Sequence, residues 1–225
     1  MIFKYDPAAL HAALMRDGYV HLKDILSEGF KDYLHGFHQS ALDQASNEAA
    51  DWKVTGKKRQ FVFDFPDVAA MREFRAGMAG LTGIGIDDFT ISERHLKIYD
   101  GAADPWPAPH KDRSASHYSI GLPIALGAGS SVCVFPQFER GANTAERATF
   151  LAPEPGTDMA ALYGGPDAVM LNEQVGDIVV FLGSELYHER VNAAGTSVLY
   201  VKVNGAGVDP LGENLFAAFR EAAEA

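Results

Sequence analysis

From residue 89 to residue 204 the chain breaks into short apolar or alternating runs, and this broken rhythm constrains the fold more than any other feature. The runs span residues 93–99, 117–126, 131–135, 148–151, 168–171, 177–182 and 197–203, and Gly, Pro, Asn or Asp separates most of them. Short segments with a period of two, punctuated by turn formers, are what a β-sandwich or barrel requires. The central part of the chain is therefore expected to be a jelly roll.

The first 88 residues follow a different pattern. Ala8, Leu10, Ala13 and Leu14 recur at helical spacing, and Gly18 stops that helix. Tyr19-Val20-His21-Leu22 reads as a short strand. Ser27 is placed to cap a helix that carries Phe30, Tyr33, Leu34 and Phe37 on one face. Residues 51–59, with Trp52, Lys53, Lys57, Lys58 and Arg59, read as a polar, basic loop, and a further helix is expected over 67–81. From Gly212 onward, Leu215, Phe216 and Phe219 predict a closing helix. No repeat and no linker divides the chain, so one domain over 1–225 is expected: a helical flank (1–88), a jelly-roll core (89–204) and a C-terminal helix (205–225).

Charge and cysteine usage narrow the partners. Nineteen basic against 30 acidic residues give a net charge of −11, a surface that repels phosphate backbones and anionic lipid. Neither nucleic acid nor a membrane is an expected partner. The uncharged stretch 114–138 approaches the length of a membrane span, but Gly121, Pro123, Gly127 and Gly129 break it into strands around a turn. Cys133 is the single cysteine, which excludes an internal disulfide and a multi-cysteine zinc site. No apolar signal region is visible near the start, so a reducing, cytoplasmic setting is expected.

Three side chains carry the chemistry. His110 and Asp112, in APHKDRS, point the same way if that segment is extended. His188, in GDIVVFLGSELYHERV, supplies a second imidazole from another strand. Two imidazoles and one carboxylate form a facial ligand set that leaves metal positions open, as in non-haem Fe(II) oxygenases. Zinc accepts the same ligands, so the set alone does not fix the metal.

The surroundings of these residues resemble the iron- and 2-oxoglutarate-dependent dioxygenases of the phytanoyl-CoA and prolyl hydroxylase type. In that superfamily a strand ending in Tyr, here His95-Leu-Lys-Ile-Tyr99, leads through a loop to P-H-x-D. A G-D-φ-φ-φ-F strand, here Gly176 to Phe181 (φ apolar), later leads to the second His. The segment Gly18-Tyr-Val-His-Leu-Lys-Asp-Ile-Leu-Ser27 is similar to the opening of that group, and Val134-Phe135-Pro136 sits where those proteins run a strand into a Pro-containing loop. The resemblance implies a double-stranded β-helix, cupin-like, using Fe(II), 2-oxoglutarate and O2 on a small-molecule substrate. Halogenating relatives replace the ligand carboxylate with Gly or Ala. With Asp112 present, hydroxylation, desaturation or cyclisation is implied.

One departure matters. The superfamily usually carries Arg or Lys ten or eleven residues after the second His, where this chain has Val198 and Leu199. A buried carboxylate needs a cation, because burying it unpaired costs several kcal/mol. Lys97, Lys202, Arg190 and Arg113 are the candidates to hold 2-oxoglutarate. Lys97 is preferred, because it shares parity with Tyr99 and the two together satisfy one carboxylate; Lys202 is next.

Other positions are weaker. His117 is read as structural rather than as a substitute ligand. His95 shares a face with Lys97 and is an even choice between orienting a ligand and packing. Trp106 lies in the loop before His110, Arg140 and Arg147 flank a loop read as surface or rim, and Cys133 is read as core. The Gly-rich pieces LGAGSS and GLTGIG lack the features of a phosphate loop. Two other functional classes stay open: a cupin-like metal-dependent oxygenase or isomerase that does not use 2-oxoglutarate, and a non-catalytic jelly-roll binding module.

Overall fold

The computed structural model describes residues 1–47, 57–101, 109–136, 138, 140–151 and 158–217. A 3-10 turn (Pro7–Leu10) runs into α1 (His11–Asp17), followed by β1 (Tyr19–Leu22), α2 (Glu28–Ala41), β2 (Ser46–Asn47), β3 (Lys57–Val62) and α3 (Val68–Thr82). Then come β4 (Thr90–Tyr99), β5 (His110–Lys111), β6 (Tyr118–Ala125), β7 (Ser131–Phe135) and β8 (Thr149–Phe150). After α4 (Met159–Gly164) the chain forms β9 (Val169–Leu171), β10 (Ile178–Phe181), β11 (Tyr187–Val191) and β12 (Ser197–Asn204). Among the described residues no helix is long and apolar enough to cross a membrane.

The strands form two antiparallel sheets. The larger has seven, in the order β1-β10-β6-β12-β4-β3-β2, and the smaller has five, in the order β8-β5-β11-β7-β9. The chain crosses between them repeatedly, as from β10 to β11, which is the double-stranded β-helix that the sequence pattern predicts. Ser27 caps α2 through its hydroxyl, which accepts from Phe30 N, and Asp67 caps α3 in the same way by accepting from Ala70 N. Both helices lay their apolar stripe on the larger sheet. Phe30 and Leu34 of α2 and Phe74 and Met78 of α3 share one buried cluster with Leu96, Leu122, Leu199 and Val201.

Those strand residues occupy one parity. The opposite parity faces the smaller sheet and is polar: Glu93, His95, Lys97 and Tyr99 on β4, Ser119 on β6, Tyr200 and Lys202 on β12. Register ties them into rows, because directly paired residues project from the same face. Phe181 pairs with Ser119, Ser119 with Lys202, and Lys202 with Glu93, giving one row across β10, β6, β12 and β4. A second row runs from Val198 through Lys97 to Gln60.

Two expectations are corrected. Lys57 to Arg59 belong to β3 rather than to a loop, since backbone pairing with β4 overrides their polar character; residues 51–56 lie outside the described set. His188 does come from another strand, β11, although its mixed sequence YHERV gave no apolar run to mark the bounds. Residues 205–216 run as turns and irregular chain rather than helix, with Asp209 accepting from the backbone N–H of Glu213 and Asn214. Residues 218–225, including Phe219, lie outside the described set.

Candidate metal centre

His110 and His188 are register partners across β5 and β11. This pairing brings their rings to 4.6 Å between centroids, tilted by 53°. Asp112 follows β5 directly, and its backbone N–H donates to Gly183 O at 2.7 Å. The turn after β10, closed by Leu186 N to Leu182 O at 2.8 Å, returns the chain so that β11 begins beside β5. As a result His110 Nε2 lies 3.9 Å from Asp112 Oδ1, and His188 Nε2 lies 3.7 Å from Asp112 Oδ2. One donor atom from each of the three residues lies within 4.8 Å of the others. Asp112 is 2% exposed and His188 6%.

The surroundings orient these groups. His188 Nδ1 lies 2.9 Å from Leu186 O; a proton there makes Nδ1 the donor and directs the Nε2 lone pair at Asp112. Asp112 Oδ1 accepts from Lys202 Nζ at 2.7 Å, and Oδ2 accepts from Ser119 Oγ at 2.5 Å. Burial alone would raise the Asp112 carboxyl, but Lys202, His188 and His110 outweigh it and hold it far below the usual carboxylate range. The Phe181 ring lies 4.4 Å from that of His188, and the Phe150 ring 5.5 Å from that of His110. Gly183 is required where it stands: a Cβ there would meet Asp112 Oδ2 and Ser119 Oγ at 2.6 Å each.

His110, Asp112 and His188 line a cavity of about 60 Å³ together with Lys97, Tyr99, Arg190 and Lys202, among other residues that include Ser119, Tyr200 and Glu189. Seven of the eight site residues read from the sequence therefore line one cavity. Lys97 Nζ donates to Gln60 Oε1 at 2.7 Å and stands 3.5 Å from Glu93. Arg190 donates to Tyr200 Oη at 3.0 Å, to Ser130 Oγ at 3.1 Å and to Glu173. Arg113 instead donates to Ser92 O, outside the cavity lining.

Sequence reasoning missed Ser119, Gly183, Glu93, Glu173 and Tyr200. Only parity along β4 and β12 could have signalled Glu93 and Tyr200. Glu93 is buried, yet Lys202 and Lys97 overcome the penalty of burial and hold it well below its ordinary range. His95 donates from Nε2 to Glu213 at 2.6 Å and lies 3.4 Å from Glu93, so it joins this charged network rather than touching the triad. His117 lies outside the cluster, paired with Glu185 at 3.2 Å. Cys133 is core, and burial pushes its thiol up to about 12. Arg140 packs against Gly18, and Asn143 of the GANTAER loop donates to Asp112 O at 2.8 Å, which pins that loop beside the site. Trp106 lies outside the described residues.

No protein-family model and no curated protein matches the sequence. Solved structures do share the fold. A Pseudomonas putida prolyl-4-hydroxylase is 18% identical with a TM-score of 0.55, the match covering 88% of this chain and 98% of that one. The epimerase SnoN, in complex with Fe3+, alpha ketoglutarate and nogalamycin RO, is 15% identical with a TM-score of 0.60, covering 88% of this chain and 85% of that one. EctD from S. alaskensis, with 2-oxoglutarate and 5-hydroxyectoine, is 15% identical with a TM-score of 0.53, covering 89% and 77%.

Proposed function

We propose that this protein is an Fe(II)- and 2-oxoglutarate-dependent oxygenase acting on a small organic substrate, with His110, Asp112 and His188 as metal ligands. The observation that carries the reading is the cross-strand pair His110–His188 meeting Asp112 in a cavity lined by cations. The donor set fits Fe(II): two imidazole nitrogens and one carboxylate on one side leave the other positions open. Bound iron supplies redox chemistry with O2 that couples decarboxylation of 2-oxoglutarate to hydroxylation, desaturation or cyclisation of the substrate. The bound Fe3+ and alpha ketoglutarate of SnoN, on the same fold, support the choice of cofactor and co-substrate.

The chain's own residues orient and shield. Leu186 O holds the His188 ring, Phe181 and Val132 limit water at the cavity wall, and Lys97 with Tyr99 receives the far carboxylate of 2-oxoglutarate. Lys97 is the cross-strand partner of Val198, the position where the superfamily places its cation. Paired residues in an antiparallel ladder have Cβ atoms about 4.5–5.5 Å apart, so Lys97 delivers its ammonium to that spot from the adjacent strand. Arg190 backs the same cavity and is the second candidate. A cytoplasmic setting suits Fe(II) and the buried thiol of Cys133.

A second reading, a cupin-like metalloenzyme that does not use 2-oxoglutarate, draws on one observation. Arg190 binds Glu173, Lys202 binds Asp112 and Lys97 stands 3.5 Å from Glu93, so each of the cavity's three cations has a carboxylate partner within the protein. Anaerobic addition of Fe(II) and then 2-oxoglutarate separates the two. The oxygenase gives the visible charge-transfer band of the chelate and then consumes 2-oxoglutarate with O2; iron binding without that band leaves the second reading. His110→Ala, Asp112→Ala and His188→Ala should each lose most bound iron while remaining folded. Full iron occupancy in His188→Ala would remove that residue from the ligand set.

A further inference from the structure

We infer that Lys202 is a positioning residue for Asp112: it fixes the carboxylate for the metal and does not hold the co-substrate. This rests on the proposed metal site. Three observations point to it. Lys202 Nζ donates to Asp112 Oδ1 at 2.7 Å, while Ser119 Oγ donates to Oδ2 at 2.5 Å, so each carboxylate oxygen has a donor from the larger sheet. An ionised carboxylate offers about four lone-pair directions, so two donors fix its plane and leave the others aimed toward the two imidazoles. The three residues Ser119, Lys202 and Glu93 form one register row, so the backbone ladder sets the placement of the ammonium rather than a flexible tail.

Glu93 makes a cation tolerable there. A lone ammonium beside a dication would repel it, but Glu93 Oε2 stands 3.8 Å from Lys202 Nζ, and the pair together is close to neutral as seen from the metal. Arg113 and Lys97 each lie 3.5 Å from the oxygens of Glu93 and hold it in turn. The row of Ser119, Lys202 and Glu93 therefore steadies Asp112 with one cation matched by one carboxylate. Outer-sphere partners of metal ligands commonly contribute about 10–100-fold to metal affinity, and Lys202 is assigned an effect of that size.

The test titrates Co(II) alone into the metal-free protein and reads affinity and the visible d–d bands; 2-oxoglutarate KM is then measured with Fe(II). Lys202→Met should weaken Co(II) by about tenfold or more and alter the d–d bands. At saturating Fe(II) its 2-oxoglutarate KM should stay near that of the wild type. Lys202→Arg, which still donates to a carboxylate, should recover the wild-type bands. If Lys202→Met does not fold, Lys202→Leu carries the same readings, since it too lacks both the donor and the charge. Wild-type Co(II) affinity and bands in the variant, with a raised 2-oxoglutarate KM, would overturn the inference and make Lys202 the anchor. A wild-type protein that binds no Co(II), matching His188→Ala, would overturn the metal site itself.

Discussion

At the scale of single residues, the site is built by close approach and by side chains standing in for one another. Gly183 shows the first. With a Cβ 2.6 Å from Asp112 Oδ2 and Ser119 Oγ, Gly183→Ala must move the carboxylate or break the hydroxyl bond. It should weaken metal binding by about tenfold, as loss of an outer-sphere contact does, with the fold intact by circular dichroism. Unchanged Co(II) affinity in that variant would mean the turn relaxes at no cost to Asp112. Lys97 shows the second. Loss of a charge-assisted bond to a carboxylate costs about 1.5–3 kcal/mol, so Lys97→Met should raise 2-oxoglutarate KM by roughly 10–150-fold with metal affinity near normal. Because Val198 faces Lys97 across the ladder, Val198→Arg in the Lys97→Met background should recover much of that loss. No recovery, together with a large effect of Arg190→Lys, would move the anchor to Arg190.

At the scale of elements, β11 is the strand on which the site depends, and a buried ion pair holds it. Arg190 lies two residues beyond His188 on the same face and reaches Glu173 after β9, while Glu173 Oε2 also accepts from Val132 N of β7. Burial would lower the guanidinium, but Tyr200 and Glu173 outweigh it and raise it. Removing one member of a buried pair leaves the other charge uncompensated and costs about 3–5 kcal/mol. Arg190→Met should therefore lower the unfolding free energy read from denaturant titration by that amount, and Arg190→Met with Glu173→Gln should recover part of it. A double variant as unstable as the single one would show that packing of Arg190, not its charge, holds β11.

At the scale of the whole molecule, the cavity wall is a lattice of alternating charges whose contribution depends on pH. Glu93 is held well below its ordinary 4.5, so its stabilisation is complete above that value and is lost as pH falls toward its folded-state pKa. His95 is shifted the other way. Burial lowers it, but Glu213 and Glu93 outweigh that and raise it above 6.5, so its share is full below 6.5 and fades as pH rises through the raised value. Urea midpoints of the metal-free protein should drop between about pH 7 and about pH 3, and drop less in Glu93→Gln. An equal drop in both would assign acid sensitivity to other carboxylates. The strands of the core, the inward parity of Lys97 and Tyr99, and the pairing of His110 with Asp112 were all legible in the sequence, because alternation and i, i+2 geometry act within one strand. The extent of β11 was not, since YHERV has no apolar period and is ordered by pairing with β5 and β7. Nor was the contact between Lys202 and Asp112, 90 residues apart, or that of Ser119 with the same carboxylate. Local periodicity tells which way a side chain points, but which side chains meet depends on register between strands and on how the two sheets face each other. Those are set by pairing and packing over the whole fold, so only the tertiary structure decided what stands beside the proposed metal site.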